Sequence, residues 1–229
     1  MRSTSVIAVL LSIFNLVHSL PTLASSPSPS PIPLLIWHGL GDRYDADGIK
    51  SVADIARDVH PGTYIHSIHI SDDGATDQRS TFFGNISAQI DSLCTVLSAD
   101  PLLTSKTTRV DALGFSQGGQ FLRGLAERCP GIRIRSLVTY GSQHNGIAKF
   151  QECGQWDLLC KGAIGAIRGN AWSTFVQGNI VPAQYYREVN ETTGLGSEEY
   201  LAASHFLADI NNERREKNCL LYTSPSPRD

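Results

Sequence analysis

The stretch RVDALGFSQGGQFLR at residues 109–123 decides the fold. Residues 109–115 are predicted to form a strand and residues 117–129 a helix. Between them lies GFSQG, Gly114–Gly118, which has the form GxSxG and is followed by a further glycine. A sharp turn from strand to helix holds the Ser116 hydroxyl clear of the sheet, and the flanking glycines let the two elements pass without Cβ clashes. This context favours a catalytic serine over an ordinary surface turn.

A second glycine-rich stretch, HGLGD at residues 38–42, directly follows the first predicted strand. In hydrolases of this build, the loop after an early strand donates one backbone N–H to the oxyanion, and the start of the helix after the serine donates another. The backbone N–H groups of Leu40 and Gln117 are therefore the candidate oxyanion hole. The alternative is a strand-end turn with a structural His38. We do not expect His38 to be the catalytic base, because it precedes the serine in the chain.

Strands and helices alternate on both sides of this stretch. The predicted strands are residues 34–37, 64–70, 109–115 and 136–141, and the predicted helices are residues 48–59, 85–97, 117–129 and 198–217. Such alternation predicts the α/β class, a mostly parallel sheet with helices on both faces. Residues 150–186 carry apolar residues interleaved with glycines, which indicates a helical or irregular insertion after the serine. This insertion is a candidate acyl-chain groove, with plain core packing as the alternative.

The composition of the chain excludes several classes of function. The chain has 229 residues, 41% hydrophobic, with 19 Lys and Arg against 22 Asp and Glu, a formal net charge of −3. These values exclude a wholly disordered chain and suggest one domain. The longest basic run is the pair Arg214 and Arg215, so neither nucleic-acid binding nor electrostatic anchoring to a membrane is supported. No transmembrane anchor is expected, and the oligomeric state is left open.

Both ends of the chain differ from its middle. Residues 1–24 have the basic start, short apolar run and small-residue end of a secretory signal peptide, with a buried N-terminal strand or helix as the alternative. Residues 25–33, rich in Ser and Pro, are expected to form a stiff spacer. The hydrolase domain is expected over residues 34–218. Residues 219–229 lack periodicity and are expected to be a non-native tail, although a natural Ser/Pro-rich terminus is the alternative.

The cysteines and two sequons fit the secretory pathway. Four cysteines remain when Cys219 is assigned to the tail, and four cysteines allow three pairings. The close pair Cys153 and Cys160 suggests a loop staple, and Cys94 with Cys129 would join two helices, but this pairing is only a preference. A zinc site is the weaker alternative, because no CxxC spacing is present. Asn85 and Asn190 begin NxS/T sequons that permit glycosylation.

Four strings together resemble a known family. They are HGLGD, GFSQGGQFLR with the nearby RCP, YGSQHNG, and HFLADINNER. This combination resembles the lysosomal type of palmitoyl-protein thioesterase, and the resemblance runs from about residue 34 to residue 218. It implies an α/β-hydrolase that cleaves thioester-linked fatty acyl groups from cysteines of lipidated proteins, in a lysosome or vacuole or outside the cell. Neither a metal nor an organic cofactor is implied.

The resemblance also implies roles for particular residues. Ser116 matches the family's nucleophile, and Leu40 and Gln117 match its oxyanion donors. The cysteines match family disulfides, which implies the pairs Cys94–Cys129 and Cys153–Cys160.

The catalytic acid and base are harder to place. In this fold the chain order is Ser, then Asp or Glu, then His, on loops after later strands. Only His144 and His205 follow Ser116, and the candidate pair in this order, Asp157 with His205, lies in a region with no flanking strands. The resemblance implies that the acid and base of the family lie downstream of FLADIN, beyond the part of this sequence that is recognisable. We therefore expect the last strands, the catalytic Asp and the catalytic His to be absent from this chain, and the chain to be inactive although its intact parent is active. His60, His66 and His69 are interpreted as exposed or strand residues.

Two rival functions remain open from the sequence. One is a secreted lipase or esterase of the same fold. The other is a non-catalytic lipid-binding protein that keeps the pocket without the triad.

Overall fold

Helices and strands alternate along the chain as far as the fourth strand. The computed structural model describes residues 31–105, 108–150 and 152–214. The strands are β1 (Leu34–Trp37), β2 (Ile65–Ser67), β3 (Val110–Phe115) and β4 (Ile134–Tyr140). The helices are α1 (Asp47–Val59), α2 (Gly74–Ser80), α3 (Ile86–Ser98), α4 (Pro101–Thr104), α5 (Gln117–Arg128), α6 (Leu158–Asn170), α7 (Thr174–Asn179), α8 (Glu198–Ala203) and α9 (Leu207–Ile210), with a 3-10 helix at Val181–Tyr185.

The described strands form one parallel sheet in the order β2-β1-β3-β4. Trp37 at the end of β1 pairs with Gly114 of β3, and Phe115 pairs with Tyr140 at the end of β4. The chain moves to one side of β1 to make β2 and to the other side to make β3. Segments that follow β1 and β3 therefore meet at the carboxyl edge of the sheet, at the switch in strand order where ligands bind in open α/β sheets.

Helices cover both faces of the sheet, as the sequence predicts. Successive residues of a strand point to opposite faces. In β1, Leu35 and Trp37 join a large buried cluster with residues of α3 and α5, whereas Ile36 packs with Ile49 and Ala53 of α1. β1 is therefore buried on both faces, which explains why its sequence is apolar without alternation.

The insertion is helical, and much of it is core. Ile164 and Ile167 of α6 and Val176 of α7 are buried in a cluster of their own with Phe82. The packing of these residues against one another agrees with the core-packing alternative. The fully buried Gln184 fastens the insertion, because its Oε1 accepts the N–H of Ile86 at 2.8 Å and its Nε2 donates to Gly84 O at 2.8 Å.

The single helix predicted over residues 198–217 is wrong. α8 ends at Ala203, α9 begins at Leu207, and residues 215–217 lie outside the described part of the chain. The break lies at Ser204, whose N–H still bonds to Tyr200 O at 2.9 Å while its buried Oγ accepts the N–H of Ala208 at 3.2 Å. A serine that bonds to the backbone in this way ends one helix and starts the next.

Two further differences concern short elements. The strand predicted over residues 64–70 is confined to Ile65–Ser67. Helices α2 and α4 were not predicted from the sequence; they are seven and four residues long and begin at the capping aspartates Asp73 and Asp100. Segments this short carry too few apolar residues to show a helical period.

The described residues contain two disulfides. Cys94 of α3 bonds to Cys129 at the end of α5, with Cα atoms 5.4 Å apart, and Cys153 bonds to Cys160 with Cα atoms 5.7 Å apart. These are the pairs that the family resemblance implies. The predicted signal peptide, most of the predicted spacer and the predicted tail lie outside the described residues.

Candidate active site

Ser116 occupies a strained turn between β3 and α5. Its φ is 49° and its ψ is −118°, a backbone conformation that costs a non-glycine residue about 1–3 kcal/mol. Hydrogen bonds hold this conformation: the N–H of Ser116 donates to Tyr140 O at 2.7 Å, and its carbonyl accepts the N–H of Gly119 at 3.1 Å. The half-exposed serine is thus positioned by β4 as well as by its own turn, as in a nucleophile elbow.

The glycines around Ser116 allow a close approach of strand, helix and neighbouring loop. A Cβ at Gly114 would lie 2.5 Å from the Cα of Gly119, and a Cβ at Gly118 would lie 2.5 Å from the carbonyl oxygen of His38. Real Cβ atoms do not approach backbone this closely. The GxSxG spacing is therefore required here by packing, which is the reason that the sequence analysis gave for it.

The loop after β1 runs past the serine. A Cβ at Gly39 would lie 3.2 Å from the Cβ of Ser116. The N–H of the next residue, Leu40, makes no hydrogen bond within the described residues. Gln117 is the first residue of α5, where a helix has no internal acceptor for its N–H. Both predicted oxyanion donors therefore belong to segments that border Ser116.

A buried hydrogen-bonded pair of side chains lies behind this loop. His38 Nε2 and Asp77 Oδ2 are 3.0 Å apart, and both side chains are almost wholly buried. Asp77 also accepts the N–H of Tyr44 at 3.0 Å and the N–H of Ile70 at 2.7 Å. Burial opposes ionisation of Asp77, but the hydrogen bonds from His38 and these N–H groups outweigh it and lower the pKa of the carboxyl group.

The middle of the same loop is bonded to α2 and the residue after it. Gly41 donates its N–H to Thr81 Oγ1 at 2.9 Å, and Gln78 Nε2 donates to Gly41 O at 2.5 Å. Together with Asp77, these side chains hold the loop at its two ends and its centre. The sequence analysis missed all three residues; the capping Asp73, which accepts the N–H of Thr76 at 2.8 Å, is the signal that could have indicated a helix there.

A second polar network holds the start of α5. The hydroxyl of Tyr185, in the 3-10 helix of the insertion, donates to Gln117 Oε1 at 2.9 Å, and both side chains are buried. Burial raises the pKa of Tyr185, so the phenol remains a hydrogen-bond donor. One turn further along α5, Gln120 Nε2 donates to Gln143 O. The sequence analysis also missed Tyr185, because nothing local to it indicates a polar partner.

The histidines that follow Ser116 are engaged elsewhere. His144 Nε2 bonds to Thr139 Oγ1 at 2.9 Å, and burial, with Arg123 nearby, lowers the pKa of this imidazole. His205 is exposed, with Nδ1 3.4 Å from a guanidinium nitrogen of Arg214.

Asp157 and His205, the candidate acid and base, do not lie together either. Asp157 caps α6 by accepting the N–H of Cys160 at 2.9 Å, and no hydrogen bond or ion pair joins it to His205 in the described residues. Within the same residues, no side chain is hydrogen-bonded to the hydroxyl of Ser116. The serine therefore has no partner for proton transfer there.

Metal sites and membrane-spanning helices are both absent from the described residues. These residues contain no group of three or more His, Cys, Asp or Glu side chains placed to hold a metal ion. None of the helices in residues 31–214 combines the length and the apolar character needed to cross a bilayer.

The parallel sheet, with a strained serine between β3 and α5 at its switch in strand order, is of the α/β-hydrolase type. Sequence comparison gives the family. The model of the palmitoyl protein thioesterase family matches residues 33–224, and the chain belongs to that family. The match includes residues 219–224 of the segment that the sequence analysis set apart as a tail.

Named relatives agree with the family. The chain is 36% identical to palmitoyl-protein thioesterase 1 of Caenorhabditis elegans over 183 residues, 80% of this chain and 59% of that protein. It is 34% identical to palmitoyl-protein thioesterase-dolichyl pyrophosphate phosphatase fusion 1 of Schizosaccharomyces pombe over 183 residues, 80% of this chain and 28% of that protein. The chain thus spans less than two thirds of either relative. A solved thioesterase of Streptomyces coelicolor prodiginine biosynthesis aligns with a TM-score of 0.40 at 13% identity, over 74% of this chain and 60% of that one.

Proposed function

We propose that the protein hydrolyses thioesters between long-chain fatty acids, such as palmitate, and protein cysteines. The observation that carries this proposal is the strained Ser116 at the switch point, beside a loop with an unpaired N–H, in a chain of the palmitoyl protein thioesterase family. The substrates are S-acylated proteins or related acyl thioesters.

The proposed reaction passes through an acyl-enzyme. Ser116 Oγ attacks the thioester carbonyl carbon, and the N–H groups of Leu40 and Gln117 donate to the oxyanion that forms. The carbon–sulfur bond then breaks, the cysteine leaves as its thiol, and water hydrolyses the acyl-serine to release the fatty acid. Backbone donors suit this chemistry because they are fixed before the reaction and need no reorganisation.

The proposal assigns the general base and its orienting acid to residues outside the described part of the chain. Support comes from the engagement of His38 with Asp77, of His144 with Thr139, and of His205 with Arg214. Removing triad members from a hydrolase costs several orders of magnitude in rate. The 229-residue chain alone is therefore proposed to be inactive, and its longer native form active.

The proposed location is the secretory pathway, with delivery to a lysosome or vacuole or to the outside of the cell. Two disulfides fit an oxidising compartment. Asn190 is exposed in a turn, and its Oδ1 accepts two backbone N–H groups, which leaves its amide nitrogen available to a glycan. Asn85 caps α3 through Oδ1 and is half-buried.

The test compares the native protein, its Ser116→Ala variant and the 229-residue chain. Each is incubated with a palmitoylated peptide thioester and with the matching oxygen ester, and released palmitate is quantified. Native protein should cleave the thioester, the alanine variant should lose about 10⁴-fold or more of that rate, and the short chain should be inactive.

Other outcomes would contradict the proposal in distinct ways. Preference for the oxygen ester would indicate a lipase or esterase. Fatty-acid binding without turnover by folded native protein would indicate a lipid-binding protein. Turnover by the 229-residue chain that Ser116→Ala abolishes would show that the base lies within this chain.

A further inference from the structure

A short loop closed by the Cys153–Cys160 disulfide carries two unusually exposed apolar side chains. Trp156 is 84% exposed and Leu158 is 77% exposed, the highest values among the large apolar side chains of the described residues. We name residues 153–160 the tryptophan tip. Isolated exposed apolar residues are common on protein surfaces, but a tryptophan and a leucine two positions apart on one covalently closed loop form a patch.

The backbone of the tryptophan tip is fixed by hydrogen bonds as well as by the disulfide. The N–H of Asp157 donates to Gly154 O at 3.1 Å, and the N–H of Leu158 donates to Trp156 O at 3.0 Å. Lys161 Nζ donates to Gln155 O at 2.5 Å. The exposure of the two apolar side chains is therefore a consequence of an ordered turn that points them outward.

The tryptophan tip lies next to the candidate active site. A pocket of about 310 Å³ is lined on one side by Trp156 and Leu158 and on the other by Gly41 and Phe82. Gly41 belongs to the loop that carries the oxyanion candidate Leu40. A hydrophobic group held at the tip would therefore lie close to the loop at residues 38–42.

We propose that the tryptophan tip inserts into the surface of a lipid bilayer and so brings the active site to membrane-bound substrate. Tryptophan favours the boundary between headgroups and acyl chains, because its ring is apolar and its N–H is polar. The role that we give to membrane binding rests on the proposed function. The acyl chain of an S-acylated protein is buried in a membrane, and an enzyme that removes it must reach that surface. The membrane binding itself rests only on the exposed apolar side chains of the tip.

The size of the patch favours a lipid surface over a protein partner. An aromatic side chain buries about 150–250 Å², whereas a stable interface needs about 800 Å² from each partner. The patch is therefore too small to hold a second copy of this chain. The single charged residue of the tip, Asp157, caps α6, and the ammonium of the adjacent Lys161 donates to Gln155 O. Binding should accordingly need no anionic lipid.

Vesicle binding by the native protein without its predicted signal peptide tests the proposal without any turnover when the protein carries Ser116→Ala. Among the described tryptophans, Trp37 is buried and Trp172 is half-buried, so a lipid-dependent fluorescence change that the double variant below loses comes from Trp156. With phosphatidylcholine vesicles, emission should move to shorter wavelength and be quenched by brominated lipid. The double variant Trp156→Ser, Leu158→Ser should lose about tenfold or more in partitioning. Phe175→Ser, which removes an apolar side chain that is 69% exposed outside the tip, is the matched control and should bind as wild type does.

Several results would overturn the inference. One is that the protein does not bind vesicles, and another is that Phe175→Ser loses as much vesicle binding as the double variant. A third is that the double variant binds vesicles normally while its thermal unfolding matches that of wild type. A dimer that only the double variant loses would identify a second copy as the occupant. A Trp156 already shielded from acrylamide without lipid would indicate that the rest of the chain covers the tip.

The same experiment separates the inference from the proposed function. Ser116→Ala should bind vesicles like wild type. Vesicle binding by native protein that hydrolyses no thioester would leave the inference standing and refute the proposed function. Hydrolysis of a soluble thioester without vesicle binding would refute the inference alone.

Discussion

The imidazole of His38 and the carboxylate of Asp77 form a buried pair with Nε2 and Oδ2 3.0 Å apart, directly behind the loop that borders Ser116. The same carboxylate accepts the N–H of Tyr44, so one side chain holds both ends of the loop. Because residues of α2 position this loop, the geometry of the proposed oxyanion hole depends on a helix that contributes no group to the chemistry.

We predict that Asp77→Asn destabilises the protein by about 2–3 kcal/mol, because an amide places N–H groups against donors and leaves a buried group unsatisfied. Urea unfolding followed by circular dichroism measures the change. Asp54→Asn is the matched control: Asp54 forms an exposed pair with Arg57 at 2.8 Å, which should contribute about 0.5 kcal/mol or less. Equal effects of the two substitutions would contradict a special role for Asp77.

Local chemistry made part of this site predictable. The GxSxG turn was predictable because strand, serine and helix are contiguous in the sequence. Its glycines are needed where the backbone lies against residues a few positions away or against the end of the preceding strand. The loop at residues 38–42 was predictable because the register of parallel strands places it beside that turn.

The remaining contacts are not encoded locally. Asp77 is 39 positions from His38, and Tyr185 is 68 positions from Gln117. Neither pair has a periodic or motif signal, since each arises only when the sheet brings distant segments together. The break at Ser204 was missed for a related reason, because a serine inside an apolar helical pattern does not reveal which backbone N–H its hydroxyl will bind.

Tyr185→Phe should cost about 1–2 kcal/mol of stability, because the buried Oε1 of Gln117 loses its donor while the ring volume is kept. In the active native protein, the same change should lower kcat more than it raises KM, since Gln117 carries a proposed oxyanion N–H. Tyr140→Phe is the control, because its side chain is 61% exposed. A Tyr185→Phe variant with normal stability and normal kcat would show that the bond has no positioning role.

The contribution of His144 to stability should decrease as the pH falls from about 7 to about 5. Burial, with Arg123 nearby, lowers the pKa of His144 below its usual value of about 6.5. The unfolded chain therefore takes up this proton at higher pH than the folded chain, and protonation favours unfolding below that pH. Burial lowers the pKa of His66 likewise, whereas burial raises the pKa of Glu127 to about 7 and acts in the opposite sense.

The difference between wild type and His144→Asn isolates the histidine from those other groups. When both proteins are unfolded in urea, the free energy of unfolding of wild type minus that of the variant should decrease as the pH falls from 7 to 5. Identical pH dependences would show that His144 titrates alike in the folded and unfolded states.

The two disulfides should differ in their contribution to stability. Cys94 and Cys129 are 35 positions apart, whereas Cys153 and Cys160 are 7 apart. Closing a longer loop removes more entropy from the unfolded chain, so replacing the first pair by serines should cost about 4 kcal/mol and replacing the second about 2.5 kcal/mol. Thermal unfolding of the two double variants measures the order, and a larger loss from the short loop would contradict the entropic argument.

Gly118→Ala and Gly165→Ala should change stability in opposite directions, although both add one methyl group to a helical glycine. At Gly118 the methyl would lie 2.5 Å from the carbonyl oxygen of His38, and backbone on both sides would have to move. At Gly165, on α6, no heavy atom lies within 4 Å of the added carbon. We expect a loss of about 3 kcal/mol or more at the first site, from overpacking, and a gain of about 0.5–1 kcal/mol at the second, from helix propensity. Differential scanning calorimetry measures both, and a neutral Gly118→Ala would mean that the turn at Ser116 does not require this close approach of helix and loop.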